Sequence, residues 1–391
     1  MSITLTPAVD GKPATQSTRV MIVDDAVVVR GVLGRWIEAE ADMQVVASLR
    51  NGREAVDQID RVRPDVVVLD VEMPELDGLS ALPLLLARKR DVVVIMASSL
   101  TRRSAEISLK ALMLGAKDYV AKPNATGDLS GAEEFHRELI EKVRGLHARF
   151  RKPPGRSTVP PPREQPVWPA RSLDKVTAPP LVPRHPAEPT LRPFPCAVPK
   201  VLVVGASTGG PQALMTVIGK LDRRFDHVPI LIIPHMPPTF TAIIAEHITQ
   251  ATGRPTREGH DGEPVDGGRI YIAPGGRHMT VARVDGVARL AISDDPPINF
   301  CKPSVDPLFE SAAQVWSQHV AALVLTGMGS DGLHGARAVA AAGGSVIAQD
   351  EATSVVWGMP GQVAQAGLCS AVLPIHDIAP RLNRLFSGER M

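Results

Sequence analysis

Two groups of side chains in this sequence have the types and spacing to do chemistry. The first is acidic: Asp24 and Asp25 follow the apolar run VMIV, and Asp70 follows VVVL. If those runs are neighbouring parallel strands, three carboxylates converge at one sheet edge, where mutual repulsion raises their pKa values. A hard divalent cation relieves that repulsion through oxygen ligands, so the trio points to Mg²⁺ with room for a phosphoryl oxygen. Ser98 and Lys122 close the next two apolar runs and bring a hydroxyl and an ammonium to the same edge. Lys122 precedes Pro123, where a cis peptide would aim the ammonium inward. Any one of these is ordinarily a turn residue; five compatible groups at strand ends are much harder to dismiss.

The second group is nucleophilic. KVLVVGASTGGPQALM reads as strand, glycine-rich turn and helix, and residues 205–209 match G-x-S-x-G, an elbow that lifts Ser207 clear of the sheet beside helix N–H groups. A dinucleotide-binding turn is the rival reading, but it needs glycine where this chain has Ser207. A serine needs a base, and two of the eleven histidines follow strand-like runs: His235 in ILIIPHM and His278 in IAPGGRHM. His235 ends the strand after the elbow helix, which places it beside Ser207 in a doubly wound sheet. Asp331, in the glycine-rich turn of LVLTGMGSDG, supplies the carboxylate that orients the imidazole. His278 and Asp306 are the fallback pair, otherwise pocket-lining polar residues. The order Ser207, His235, Asp331 differs from the Ser, Asp/Glu, His order of α/β-hydrolases.

The elements that must position these groups form two domains. With 391 residues, 44% of them apolar, the chain has material for two or three cores. Fifteen of its 36 prolines fall within residues 151–200, too dense for a helix or central strand, so that stretch is a semi-rigid linker. It also carries a net charge of +6, against −2 before it and −3 after it. The expected layout is a flexible tail over residues 1–17, a first domain over 18–150, the basic proline-rich linker over 151–198, and a second domain over 199–391. Upstream, five apolar runs alternate with helical stretches near residues 27–40, 52–62, 78–89, 102–114 and 131–150, a doubly wound (βα)5 pattern. Downstream, five parallel-type runs form a second α/β domain, interrupted by MTVARVDGVARLAIS, whose alternation around Asp285-Gly286 predicts an antiparallel hairpin.

On these residues the N-terminal text VDD…LDVEMPELDGL…MASS…YVAKP resembles the receiver domain of two-component response regulators. The resemblance implies phosphorylation of Asp70 by a histidine kinase, Mg²⁺ held by Asp24, Asp25 and Asp70, and phosphoryl contacts from Ser98 and Lys122. It also implies a switching face carrying Ser98 and an aromatic residue, here Tyr119. The downstream segments GASTGGPQAL, PHMPPTFT, IYIAPGGRHM, KPSVDPLFES, LTGMGSDG and AQDEATSVVWGMP resemble the catalytic domain of the chemotaxis protein-glutamate methylesterases. That resemblance implies a serine hydrolase whose triad falls on Ser207, His235 and Asp331, with Thr208 and the Met328 N–H supporting the oxyanion. Its substrates would be methyl-accepting chemotaxis receptors, whose glutamate γ-methyl esters it cleaves and whose glutamines it deamidates, with no cofactor at the hydrolytic site.

Composition trims the alternatives. A formal charge of +1 leaves no whole-chain field for nucleic acid or an anionic membrane. The three cysteines, Cys196, Cys301 and Cys369, have neither disulfide-framework nor zinc spacing. The absence of a signal-like N-terminus or a run long enough to span a bilayer completes the expectation of a cytoplasmic protein with no membrane insertion. Three other readings remain: an esterase or amidase acting on a different substrate, a receiver with a catalytically idle output domain, and a DNA-binding regulator. The acidic second half opposes the last.

Overall fold

The computed structural model describes residues 17–122, 129–150 and 190–389. Pro123, with its expected cis bond, lies outside these residues, as does nearly all of the expected tail and linker.

The N-terminal half alternates β1 (Thr18–Val23), α1 (Val27–Glu38), β2 (Met43–Leu49), α2 (Gly52–Val62), β3 (Val66–Asp70), α3 (Gly78–Arg88), β4 (Val93–Ser98), α4 (Arg102–Met113), β5 (Asp118–Ala121) and α5 (Leu129–Phe150). The strands pair in parallel in the order β2-β1-β3-β4-β5. Every residue of β3 and β4 is buried, as expected of runs of branched residues covered by helices on both faces. Side chains of Asn51, Asp77 and Thr101 accept backbone N–H bonds at the starts of α2, α3 and α4, fixing where each helix begins. Strand order reverses around β1, so the loops after β1 and β3 face each other across a crevice.

The C-terminal half runs β6 (Val201–Ala206), α6 (Gly210–Ile218), β7 (Ile230–Pro234), α7 (Phe240–Thr252), β8 (Thr256–Glu258), β9 (Ile270–Ile272), β10 (His278–Val284), β11 (Val287–Ser293), α8 (Val305–Trp316), β12 (Val320–Val324), α9 (Leu333–Ala341), β13 (Ser345–Gln349), α10 (Met359–Gln365), β14 (Ala371–Leu373) and α11 (Ile375–Phe386). Seven strands form a parallel sheet in the order β14-β13-β12-β6-β7-β9-β8, with β10 and β11 paired apart as an antiparallel ribbon. Asp285 and Gly286 both take positive φ at its tip, the two-residue turn their sequence predicts. Two strands escaped the sequence reading. β8 and β14 are three-residue edge strands, too short to carry a period, and β8 is the polar tripeptide TRE. Among the described residues no helix is long and apolar enough to cross a membrane.

The loops after β6, β7 and β12 share the carboxyl edge of this sheet, with β6 at the centre. Helix α8 lies close beneath that edge: a Cβ added to Gly205 would sit 2.7 Å from the methyls of Val305. Gly205→Ala should therefore force α8 off β6 and lower stability by about 1–3 kcal/mol, read as a shifted midpoint in chemical denaturation of the full chain.

Candidate functional site

At the crevice of the first sheet, Asp24, Asp25 and Asp70 bring carboxylate oxygens within 4.8 Å of one another. Asp24 and Asp70 are buried and Asp25 is exposed. Lys122, just beyond β5, reaches both buried members, with Nζ 2.6 Å from Asp24 Oδ2 and 2.7 Å from Asp70 Oδ1. Burial pushes the Asp70 carboxyl up to about 6, Lys122 opposes that shift, and the Asp24 charge adds to it. An all-oxygen donor set with one solvent-facing member suits a hard cation such as Mg²⁺, which would relieve this repulsion. Ser98 ends β4 fully buried, and its hydroxyl makes only a 3.4 Å contact to the Ser99 carbonyl among the described residues.

Around β6 the second site is held by close backbone approach. Ser207 follows the strand, its N–H donating to Thr326 O at 3.0 Å. Gly209, at φ 75°, starts α6 in a conformation that disfavours side chains, and a Cβ there would strike Val355 at 2.5 Å. Gly327 is equally constrained, since a Cβ would lie 2.8 Å from the Cβ of Ser207. The next residue, Met328, therefore lies close to the serine, and its backbone N–H donates to no protein acceptor among the described residues. Ser207 Oγ is also without a hydrogen-bond partner there.

His235 follows β7 and is fixed by its own N–H, which donates to Ala206 O at 2.9 Å, directly beside the Ser207 turn. Its ring Nε2 lies 2.8 Å from Asp331 Oδ2. Asp331 is 2% exposed. Its Oδ1 accepts from Ser304 Oγ at 2.8 Å, Gly332 N at 2.9 Å and Asp306 N at 3.1 Å, and its Oδ2 also accepts from Val305 N at 2.7 Å. Burial alone would raise this carboxyl, but these donors and His235 hold it below the usual range. For His235 the balance runs the other way. Burial depresses the imidazole, but Asp331 and the Cys301 sulfur outweigh it and lift it to about 10. With Nε2 committed to Asp331, Nδ1 is the nitrogen left to work, and Cys301 Sγ lies 3.6 Å from it. His235, Cys301 and Asp331 also offer ligand atoms within 4.8 Å of one another, but His235 and Asp331 already use theirs on each other.

The fallback residues sit elsewhere. His278 is buried with Nε2 on Pro296 O at 3.1 Å and Nδ1 accepting from Ser304 N at 3.2 Å, so it braces the loop that feeds Asp331. Asp306 accepts from Gly335 N at 2.7 Å, with no contact to His235, and burial raises its carboxyl to about 6. Sequence reasoning missed Ser304 and Cys301. Both lie in FCKPSVD, a segment with no periodicity to mark which side chains turn inward.

The first half is docked against this site. Tyr119 of β5 stacks on Phe240 of α7 with ring centroids 4.3 Å apart and planes at 4°. Gln212 on α6 donates to Leu112 O at 2.8 Å and Ala116 O at 3.2 Å, and Arg102 on α4 forks onto both oxygens of Glu246. From α5, Arg149 donates to carbonyls of residues 351, 352 and 354, and Arg137 lies over the Phe300 ring. The buried Thr208 hydroxyl, beside Ser207, faces the Asp118 carboxylate, and the Met328 methyl abuts Gly145 of α5. One apolar core runs unbroken from Leu109, Leu112 and Tyr119 into Leu214, Phe240 and Ile244.

Comparison with known proteins follows this division. A family model described as a response regulator receiver domain matches residues 20–132, and one described as CheB methylesterase matches residues 202–382. The chain is 56% identical to a protein-glutamate methylesterase/protein-glutamine glutaminase of Rhodopseudomonas palustris strain BisB5, covering 98% of this chain and 99% of that one. A Bradyrhizobium diazoefficiens protein of the same name, from a group 2 operon, is 55% identical over 95% of each chain. Among solved structures, the Thermotoga maritima CheB methylesterase catalytic domain is 38% identical, with a TM-score of 0.47 over 48% of this chain and all of that one.

Removing the carboxylate charge while keeping the side-chain shape isolates its effect on the imidazole. Asp331→Asn should lower the His235 pKa from about 10 by about one to three units, because the protonated ring loses its counter-charge. NMR titration of the ring protons checks this; an unmoved or raised value would refute it.

Proposed function

The chain belongs to the protein-glutamate methylesterase/protein-glutamine glutaminase family, and from that premise we propose that it hydrolyses glutamate γ-methyl esters on chemotaxis receptors under control of its own receiver. The receiver is assigned to residues 18–150 and the hydrolase to 199–391. The observation that carries the catalytic reading is the 2.8 Å contact between His235 Nε2 and the buried, multiply bonded Asp331, with His235 pinned by its backbone to the Ser207 turn.

Ser207 Oγ attacks the ester carbonyl carbon as His235 Nδ1 takes its proton, and Asp331 holds the tautomer that leaves Nδ1 free to do so. The tetrahedral oxyanion is met by the unbonded Met328 N–H, with Thr208 alongside. Such donors typically contribute about 3–4 kcal/mol each. Collapse breaks the bond to the methoxy oxygen, which takes the proton from His235 and leaves as methanol. Water then adds to the glutamyl-enzyme, deprotonated by the same nitrogen, and frees glutamate and Ser207. A glutamine side chain in the same pose releases ammonia, which accounts for the second activity in the family name.

Asp24, Asp25 and Asp70 would hold Mg²⁺, which when bound neutralises charge around a phosphoryl group. A histidine kinase supplies that group, Asp70 Oδ accepts it, Ser98 donates to it, and Lys122 exchanges its contact with Asp70 for one with the phosphoryl oxygens. With Tyr119 stacked on Phe240, the receiver covers the Ser207 edge. Phosphorylation draws Ser98 and Lys122 inward, Tyr119 follows them, and its stack on Phe240 is lost. A cytoplasmic setting fits both the kinase and receptor tails as partners.

Ser207→Ala should reduce methanol release from methylated receptor membranes by about 10³-fold or more, with the Asp70 phosphorylation level unchanged. Persistent release would sink the serine mechanism. Phe240→Ala should raise methanol release without any phosphodonor, because it removes the ring on which Tyr119 docks. Asp70→Asn should stay folded and ignore the phosphodonor; equal stimulation of wild type and Asp70→Asn would end the regulatory reading.

A further inference from the structure

The working nitrogen of His235 faces a thiol in this form of the protein, and the proposed mechanism gives that thiol nothing to do. Residues 298–301 make a tight turn closed by backbone bonds between Ile298 and Cys301, with Asn299 and Phe300 both at positive φ. The turn delivers Cys301 Sγ to 3.6 Å from His235 Nδ1 and 3.5 Å from Asn299 O. Cysteine, imidazole and buried carboxylate thus form a continuous relay, Cys301–His235–Asp331. A base at that distance can take the thiol proton as the sulfur attacks, which is how an adjacent imidazole activates a cysteine nucleophile. The other two cysteines differ: Cys196 is exposed, and Cys369 is fully buried with its thiol pushed up to about 12. Cys301 is partly exposed, which lets a small oxidant reach it.

We propose that Cys301 is an oxidation-sensitive regulatory thiol, which a hydroperoxide converts to a sulfenic acid that occupies His235 Nδ1 and switches the hydrolase off. The sulfur attacks the distal oxygen of ROOH as its proton passes to Nδ1. The O–O bond breaks as the S–O bond forms, and the departing RO⁻ takes the proton from His235 to leave as ROH. Sulfur is oxidised by two electrons and the peroxide is reduced by two. The new S–OH hydrogen-bonds to Nδ1, so Ser207 loses its proton acceptor. Two equivalents of a thiol reductant regenerate the cysteine, yielding one disulfide of the reductant and one water.

The inference rests on His235 being the base for Ser207, and the test has one arm independent of that reading. Full-length protein is treated with hydrogen peroxide, quenched with catalase, and then assayed with methylated receptor membranes and a phosphodonor; a parallel sample is trapped with dimedone and mapped by peptide mass spectrometry. Expected are a dimedone adduct on Cys301, a fall of about tenfold in methanol release, recovery with dithiothreitol, and a Cys301→Ser chain that keeps its own untreated rate. Labelling of Cys301 should be unchanged in Ser207→Ala and about tenfold slower in His235→Gln. Exclusive labelling of Cys196, full activity with Cys301 fully oxidised, or equal inactivation of Cys301→Ser would overturn the proposal. If untreated protein releases no methanol, the hydrolase reading fails instead, and equal labelling rates in wild type and His235→Gln would still refute thiol activation.

Discussion

A carboxylate shut away from water must have its charge answered, and Asp331 is the point from which the hydrolase half is organised. Its five donors come from three separate places: the loop after β7, the turn after β12 and the first residues of α8. Satisfying one anion therefore fixes His235 in angle and tautomer and sets α8 against the sheet edge. The α8 N-terminus adds the favourable end of its dipole. Bracing continues outward: His278 holds Ser304, and Ser311 of α8 accepts from Val281 of the hairpin, so the one antiparallel element is tied to the same centre. Losing the carboxylate would strand donors throughout this network, so on the proposed reading a single residue governs both stability and chemistry.

The contact between the halves is built on different physics. Arg102 and Glu246 are both well exposed, and such pairs contribute little. The stacked Tyr119–Phe240 pair adds about 0.5–1.5 kcal/mol beyond its buried area, and the shared apolar core supplies the rest. Polar bonds across the contact run mainly from the side chains of Gln212 and Arg149 to backbone carbonyls, which water can serve on separation, so on the proposed reading the contact can be made and broken. The acidic site of the receiver answers its charges with Lys122, a flexible amine that can change partners, whereas Asp331 is answered by fixed backbone donors.

Much of this was legible in the sequence because parallel sheets put functional residues at predictable places. Asp24 and Lys122 follow a strand and Asp70 and Ser98 end one, so reading the strands was enough to predict that these side chains share one sheet edge. The same logic ranked His235 over His278, since consecutive strands around an elbow helix are neighbours. It worked less well where a residue's role depends on tertiary closure. Ser304 and Cys301 lie in an aperiodic loop, and nothing local says that one caps Asp331 while the other meets His235. Asp306 has the composition of a catalytic carboxylate, but its Oδ1 accepts the Gly335 N–H instead. Tyr119 stood out as the aromatic of the switching face, yet its partner Phe240 could not be named, because residues 121 positions apart meet only when the halves close.

Met328 occupies both structures at once. Its main chain continues directly from Gly327, which packs on the Ser207 turn, and its side chain ends on α5 of the receiver. On the proposed reading, the donor that meets the oxyanion and the methyl that touches the regulator are a few bonds apart in one amino acid. The message from the receiver then has almost no distance to cover, and no chain of intermediaries through the hydrolase needs to be conserved. Regulation of this sort is local by design: it can be rewired by changing the two faces that touch, leaving the rest of the enzyme free to drift.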